Sequence, residues 1–192
     1  MFDGGGNGWL EIISGPMFAG KSTELIRRLR TLEHTKINFV LFKPKIDSRY
    51  ADNDVVTHDN SSMSAKVVNT ALDILDFVRN NPTIKVIGID EGQFFGIELV
   101  SVIKELVFQQ GKRVIISALL LDYQDNPFGY VPHLLPYANE HIILHAVCSF
   151  CNEKLATHTV RISGSGAQIE VGGVDKYKVA CNDCWREMKK MS

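Results

Sequence analysis

One stretch constrains this chain more than any other. Residues 15–22 read Gly15-Pro16-Met17-Phe18-Ala19-Gly20-Lys21-Ser22, which satisfies the G-x-x-x-x-G-K-[ST] pattern of a phosphate-binding loop. A chance glycine-rich turn can meet four fixed positions, so the flanks matter. Before the loop, residues 10–13 (Leu-Glu-Ile-Ile) form a short strand candidate. After it, residues 22–33 put Leu25, Ile26, Leu29 and Leu32 on one helical face. Strand, loop and helix are the context in which glycines let backbone N–H groups point at phosphate oxygens at a helix N-terminus. Lys21 then supplies a charge to the β- and γ-phosphates, and the Ser22 hydroxyl is a Mg²⁺ ligand candidate.

A second element supports the first. Val86-Ile87-Gly88-Ile89-Asp90-Glu91 is an apolar strand candidate ending in two carboxylates. On its own such a pair reads as a solvated strand end. Paired with the upstream loop, Asp90 fits the acid that holds the Mg²⁺ shell. Adjacent side chains on a strand point to opposite sides, so Asp90 and Glu91 are expected to have different roles.

The rest of the first three quarters alternates in the same way. Residues 39–42, 114–119 and 142–147 are further strand candidates. Thr70 followed by Asp73 resembles a helix start, with Leu72, Leu75 and Val78 at helical spacing. Ile97, Val100, Ile103, Leu106 and Val107 predict another helix, closed by Gly111. Strands alternating with helices predict an α/β fold, a mostly parallel sheet covered on both faces.

After Val147 the texture changes. All four cysteines fall here, as Cys148-x₂-Cys151 and Cys181-x₂-Cys184, and glycines cluster at 164, 166, 172 and 173. Two knuckles of this spacing suit a tetrahedral Zn²⁺, and four thiolates leave no open position, so the expected role is structural. Four merely buried or free thiols are a weak alternative, since no cysteine lies elsewhere in the chain, and a redox pair lacks its usual βαβ setting. Within the tail, residues 157–162 and 168–171 are strand candidates joined by a turn at 163–166. The predicted organisation is a disordered lead over 1–8, an α/β domain over 9–146 and a zinc-binding domain over 147–192.

Composition excludes other classes. With 21 basic and 22 acidic residues the net charge is −1, which gives no basis for nucleic-acid backbone binding. No apolar run approaches the ~20 residues of a membrane span. The first eight residues lack a basic start and an apolar stretch, so no signal peptide is expected. A cytoplasmic protein with no membrane or nucleic-acid partner is the expectation.

Taken together, these segments resemble the type II thymidine kinases, the cellular and poxviral kind, from Leu10 to Cys184. The resemblance rests on residues 15–25, on Ile89-Asp90-Glu91-Gly92-Gln93-Phe94-Phe95, on Asp47-Ser48-Arg49-Tyr50, Thr57-His58-Asp59 and Pro127-Phe128-Gly129, on Gly172-Gly173 with Tyr177, and on the cysteine pairs. It implies a P-loop NTPase core of the recombinase type, with a small C-terminal zinc ribbon carrying a lasso loop over thymidine. The implied substrates are thymidine and ATP, with Mg²⁺ and structural Zn²⁺, in a homotetramer that serves nucleotide salvage. By position, Glu91 matches the general base. Asp47, Ser48, Arg49, Asp90, Gly92 and Gln93 match nucleotide-site segments. Met17, Tyr123, Thr159, Gln168, Ile169, Glu170, Val171, Gly172 and Tyr177 match the thymidine pocket. The chain departs from the family pattern at three places. Tyr123 stands where Phe is usual, and Leu119-Leu120-Leu121-Asp122 lacks the usual Asp and Gly. One extra residue precedes Thr159, so His158 competes with it for the pocket. Without the resemblance, an ATPase motor carrying a zinc ribbon and a non-catalytic zinc adaptor also stand. The motor predicts basic stripes that are absent, and the adaptor leaves Lys21, Ser22 and Asp90 unexplained.

Overall fold

A run of apolar residues with one buried acid, Trp9–Ser14, forms strand β1. The computed structural model describes residues 7–45, 54–56, 62–163 and 175–191. The calls on Asp47, Ser48, Arg49, Gln168, Ile169, Glu170, Val171 and Gly172 lie outside them, as do the turn at 163–166 beyond Ser163 and the strand expected at 168–171.

Helix α1 (Lys21–Arg30) follows the loop, then β2 (Asn38–Pro44), a short antiparallel pair β3 (Asp54–Val56) and β4 (Ser62–Ser64), and β5 (Lys66–Val68). Helix α2 (Ala71–Asn80) starts at Thr70 with a full capping box: the Thr70 hydroxyl accepts from Asp73 N, and the Asp73 carboxylate accepts from Thr70 N at 2.9 Å. Its buried residues are Ala71, Ile74, Leu75 and Val78, whereas Leu72 is 51% exposed. Leu75 and Val78 lie on the buried stripe as predicted, and Leu72 does not, because it points away from the side that the capped first turn directs inward. Strand β6 (Ile84–Ile89) leads to helix α3 (Glu98–Lys104), which widens into a π-helical turn over Glu105–Gln109. Gly111, at φ 62, ends it. Strand β7 (Arg113–Ser117) and strand β8 (Glu140–Ile143) complete the main sheet.

The sheet order is β5-β2-β6-β7-β1-β8, and every pairing is parallel. Alternate side chains serve two cores. Leu10, Ile12, Phe42, Ile87, Ile89, Val114 and Ile116 pack with α2 and α3, while Ile13, Leu41, Val86 and Ile115 pack with α1. Helices therefore cover both faces. The arrangement places the ends of β1, β6 and β7 along one edge, where loops of such sheets gather ligands.

The predicted strand over 142–147 is two strands. Leu144 N donates to Ser14 O at 2.8 Å, and the chain then leaves the sheet to form β9 (Ala146–Val147), which pairs with β10 (Leu155–Ala156). Strand β11 (His158–Arg161) pairs antiparallel with β12 (Tyr177–Ala180), and helix α4 (Asn182–Met191), not foreseen in the sequence, closes the chain.

Candidate active site

The loop after β1 is set by its backbone. Gly20, at φ 79, is the N-cap of α1, a left-handed conformation that suits a residue without a Cβ. Phe18 also takes positive φ, 61°, so the loop curls tightly between the two glycines. Lys21 Nζ donates to Pro16 O at 2.8 Å. The Ser22 hydroxyl lies 3.0 Å from both carboxylate oxygens of Asp90. Asp90 is only 4% exposed, and it also accepts from the Ser117 hydroxyl at the end of β7. Sequence reasoning missed Ser117, although a lone serine ending an apolar strand beside β6 is a readable signal.

Asp90 and Glu91 diverge, but not by strand alternation as expected. Strand β6 ends at Ile89, and Glu91 sits in the left-handed region at φ 52 and ψ 44. A turn, not a pleat, separates the carboxylates. Gln93, 2% exposed, fixes the turned-out acid: its Nε2 donates to Glu91 Oε2, and its Oε1 accepts from Leu119 N at 3.0 Å. Gly92 begins the short 3₁₀ turn that carries Gln93. Gly129, at φ 62, packs so closely on the Gln93 carbonyl that a Cβ there would collide with it. Phe94 and Phe128 meet edge to face at 5.7 Å.

Tyr123 lies on the loop after β7, with the Arg161 guanidinium 3.6 Å above its ring. In the stretch that departs from the family pattern, Asp122 shapes the loop. Its buried carboxylate accepts from Gln124 N at 2.8 Å and Asn126 N at 3.0 Å, closing the turn. Thr159, 6% exposed, accepts from Met17 N at 3.0 Å. His158 points instead to Asp125 and Asn182. Of the two competitors, Thr159 is therefore the one that touches the phosphate loop. Tyr177, on β12, is 7% exposed and lines a cavity with Phe18, Ala146, Val147 and Ser149.

The four cysteine sulfurs lie within 4.8 Å of one another, and Cys151 Sγ is 4.0 Å from Cys181 Sγ. A tetrahedral zinc with Zn–S of about 2.3 Å places its sulfurs about 3.8 Å apart, so this set fits the ion. Burial would raise the Cys148 thiol, but backbone N–H groups of Cys151, Cys181 and Phe150 bring it down to about 6. Cys184 is pushed up to about 12, by burial first and then by hydrogen bonds with the other three sulfurs. One sulfur favours the anion while another resists it, as expected of four thiols crowded together. Met17 and Phe18 of the phosphate loop pack against the small core around Cys148 and Cys181.

Fold and site define a class: a P-loop α/β protein whose phosphate loop leans on a four-cysteine cluster with the geometry to hold a metal ion. Comparison with known proteins narrows the class. The thymidine kinase family model matches residues 8–185. A thymidine kinase of Coprothermobacter proteolyticus is 44% identical over 92% of this chain and 89% of its own length. One from Bdellovibrio bacteriovorus is 41% identical over 91% of this chain and 83% of its own. One from Rhodothermus sp. is 36% identical over 98% and 86%. The chain belongs to the thymidine kinase family. Among solved structures, the Legionella pneumophila ATPase DotB aligns with a TM-score of 0.39 at 21% identity, covering 64% of this chain and 33% of that one, a likeness too slight to add to the fold. Among the described residues no helix is long and apolar enough to cross a membrane.

Proposed function

We propose that this chain transfers the γ-phosphoryl group of ATP to the 5′-hydroxyl of thymidine, giving dTMP and ADP. The observation that carries the reading is the joined pair of Ser22 and Asp90, with Glu91 turned away from them, in a chain of this family. Residues 15–22 hold the triphosphate through their backbone N–H groups, and Lys21 leaves Pro16 O to meet the β- and γ-phosphates. Ser22 and Asp90 are hard oxygen donors of the kind Mg²⁺ prefers and are the residues that would hold it. When bound, that ion neutralises charge developing on the phosphate oxygens. Glu91 accepts the proton of the 5′-hydroxyl, and Gln93 keeps its carboxylate oriented. Asp47, Ser48, Arg49 and Gly92 complete the nucleotide side.

On the acceptor side, Met17, Tyr123, Thr159 and Tyr177 form the base pocket with Gln168, Ile169, Glu170, Val171 and Gly172. Cys148, Cys151, Cys181 and Cys184 bind one structural zinc, and residues from 147 onward fold around it as a separate unit. A homotetramer in the cytoplasm is the assembly we infer. ATP consumption measured with and without thymidine tests the reading. Turnover should depend strictly on thymidine, and Lys21→Ala should remove nearly all of it with the fold intact. Consumption that ignores thymidine would point to an ATPase motor instead.

A further inference from the structure

The loop carrying Tyr123 has a fixed shape. Asp122 N donates to Asn126 O at 2.9 Å, Asp125 N donates to Asp122 O at 3.1 Å, and Leu121 bridges Pro127. These bonds lie within the loop, so they set its form and not its seat. Its two ends are held by Gln93, through Leu119 N and Gly129, and its tip is seated on β11. Asp125 stands at φ 64, a left-handed conformation that costs free energy for a residue with a Cβ. From there its Oδ1 meets His158 Nδ1 at 2.7 Å. A carboxylate only accepts, so Nδ1 carries the proton and donates. His158 Nε2 lies 2.8 Å from the side-chain amide of Asn182, which falls between Cys181 and Cys184 in sequence and whose NH₂ is the group that can donate to it. The ring stacks on Trp185 at 4.5 Å with planes 13° apart. Both nitrogens and one face of a single imidazole are thus used, with the His158 and Asp125 side chains 17% and 20% exposed. The residue after His158 is Thr159, which holds Met17 N, and Arg161 on the same strand covers the Tyr123 ring.

We infer that His158 is a positioning residue for the acceptor: through Asp125 it latches the 122–127 loop onto β11, fixing Tyr123 relative to Thr159. This rests on the thymidine kinase reading. The one-residue insertion that left His158 and Thr159 in competition thereby has an explanation, since the two neighbours divide the work. Thr159 faces the phosphate loop, and His158 faces the loop that bears the aromatic ring.

The test uses the full-length zinc-loaded enzyme. His158→Ala removes the latch. Asp125→Gly removes it from the other side while relieving the positive φ, so backbone strain does not add to its effect. In both, KM for thymidine should rise about tenfold, the scale of one lost charge-assisted hydrogen bond. KM for ATP and kcat should stay within about twofold, and zinc content should not change. Asp125→Asn keeps an acceptor and tolerates the backbone, so it should restore near wild-type KM. The double variant should be no worse than either single one. An unchanged thymidine KM in both single variants would overturn the proposal. So would a parallel rise for both substrates with loss of zinc, which would assign His158 to the fold alone. Hydrogen exchange over 122–126 reads the latch without substrate. Faster exchange in both variants supports it, and unchanged exchange overturns it. A wild type inert toward thymidine would instead overturn the kinase reading.

Discussion

The sheet and the cysteine region solve the same problem with different means. In the sheet, Leu10, Ile12, Ile87, Ile89, Val114 and Ile116 are buried on one face, while Ile13 and Ile115 are buried on the other against Leu25 and Leu29 of α1. Each such side chain contributes about 1.5–3 kcal/mol on burial. In the cysteine region the core is Cys148, Ala156, Val179 and Cys181, while Val147 and Leu155 are 60% and 61% exposed. That is too little apolar burial to offset roughly 1–2 kcal/mol of backbone entropy per ordered residue. A large core can be indifferent to any ligand; a small one with four crowded thiols is where a metal ion would contribute most. The candidate site lies where the two meet, with Met17 of the phosphate loop bonded to Thr159 and packed on the cysteine core.

The contrast can be broken most forcefully at the metal. Cys181→Ser should lower zinc well below one per chain and forfeit binding energy on the scale of about 10 kcal/mol. Hydrogen exchange should then rise across 146–163 and 175–191 while β1, β6 and β7 keep their protection. Loss of protection in the sheet as well would abolish the contrast, and with it the boundary near residue 146. At the shared edge, Glu91→Gln keeps shape and loses the base. Turnover at saturating thymidine should fall by about 10²–10⁴-fold with ATP binding little changed. Asp90→Asn should instead weaken the Mg²⁺-dependent step. A normal rate for Glu91→Gln would remove that assignment. Inside the sheet, Leu29→Ala should cost about 2–5 kcal/mol in chemical denaturation, with zinc content unchanged. Smallest, Thr70→Ala deletes the hydroxyl half of the α2 capping box and should cost about 1 kcal/mol, seen as faster exchange in the first turn of α2.

The phosphate loop was legible because its chemistry is contained in eight consecutive residues between a strand and a helix. The Thr70–Asp73 start and the Gly111 stop were legible for the same reason: caps are local. What escaped depended on distant partners. The expected last strand divides because Leu144 N makes the final bond to β1, at Ser14 O, and Ala146 and Val147 then pair with β10, a partner outside the main sheet. Helix α4 escaped although Cys184, Trp185, Met188 and Met191 recur at helical spacing, because the cysteine pair marked its first turn as a metal knuckle; Trp185 N bonding to Cys181 O helps start it. The separation of Asp90 from Glu91 was anticipated with the wrong cause, since a positive φ at a glutamate is not written in its neighbours. Thr159 and His158 could not be ranked from a period-2 strand until the partners of each side chain were known.

The strand order has a consequence for how this chain is made. Strand β1 is flanked by β7 and β8, so Ile12 faces Ile116 on one side and His141 on the other. Ribosomes add about 5–20 residues per second, and β7 begins about 100 residues after β1 ends. For about 5–20 s the strand that precedes the phosphate loop waits without either neighbour. Nucleotide binds a curled backbone that needs β1 as its floor, so ATP cannot serve as a scaffold during that wait. It can stabilise only a nearly complete chain, which leaves the newborn β1 to whatever holds apolar segments apart in the cell.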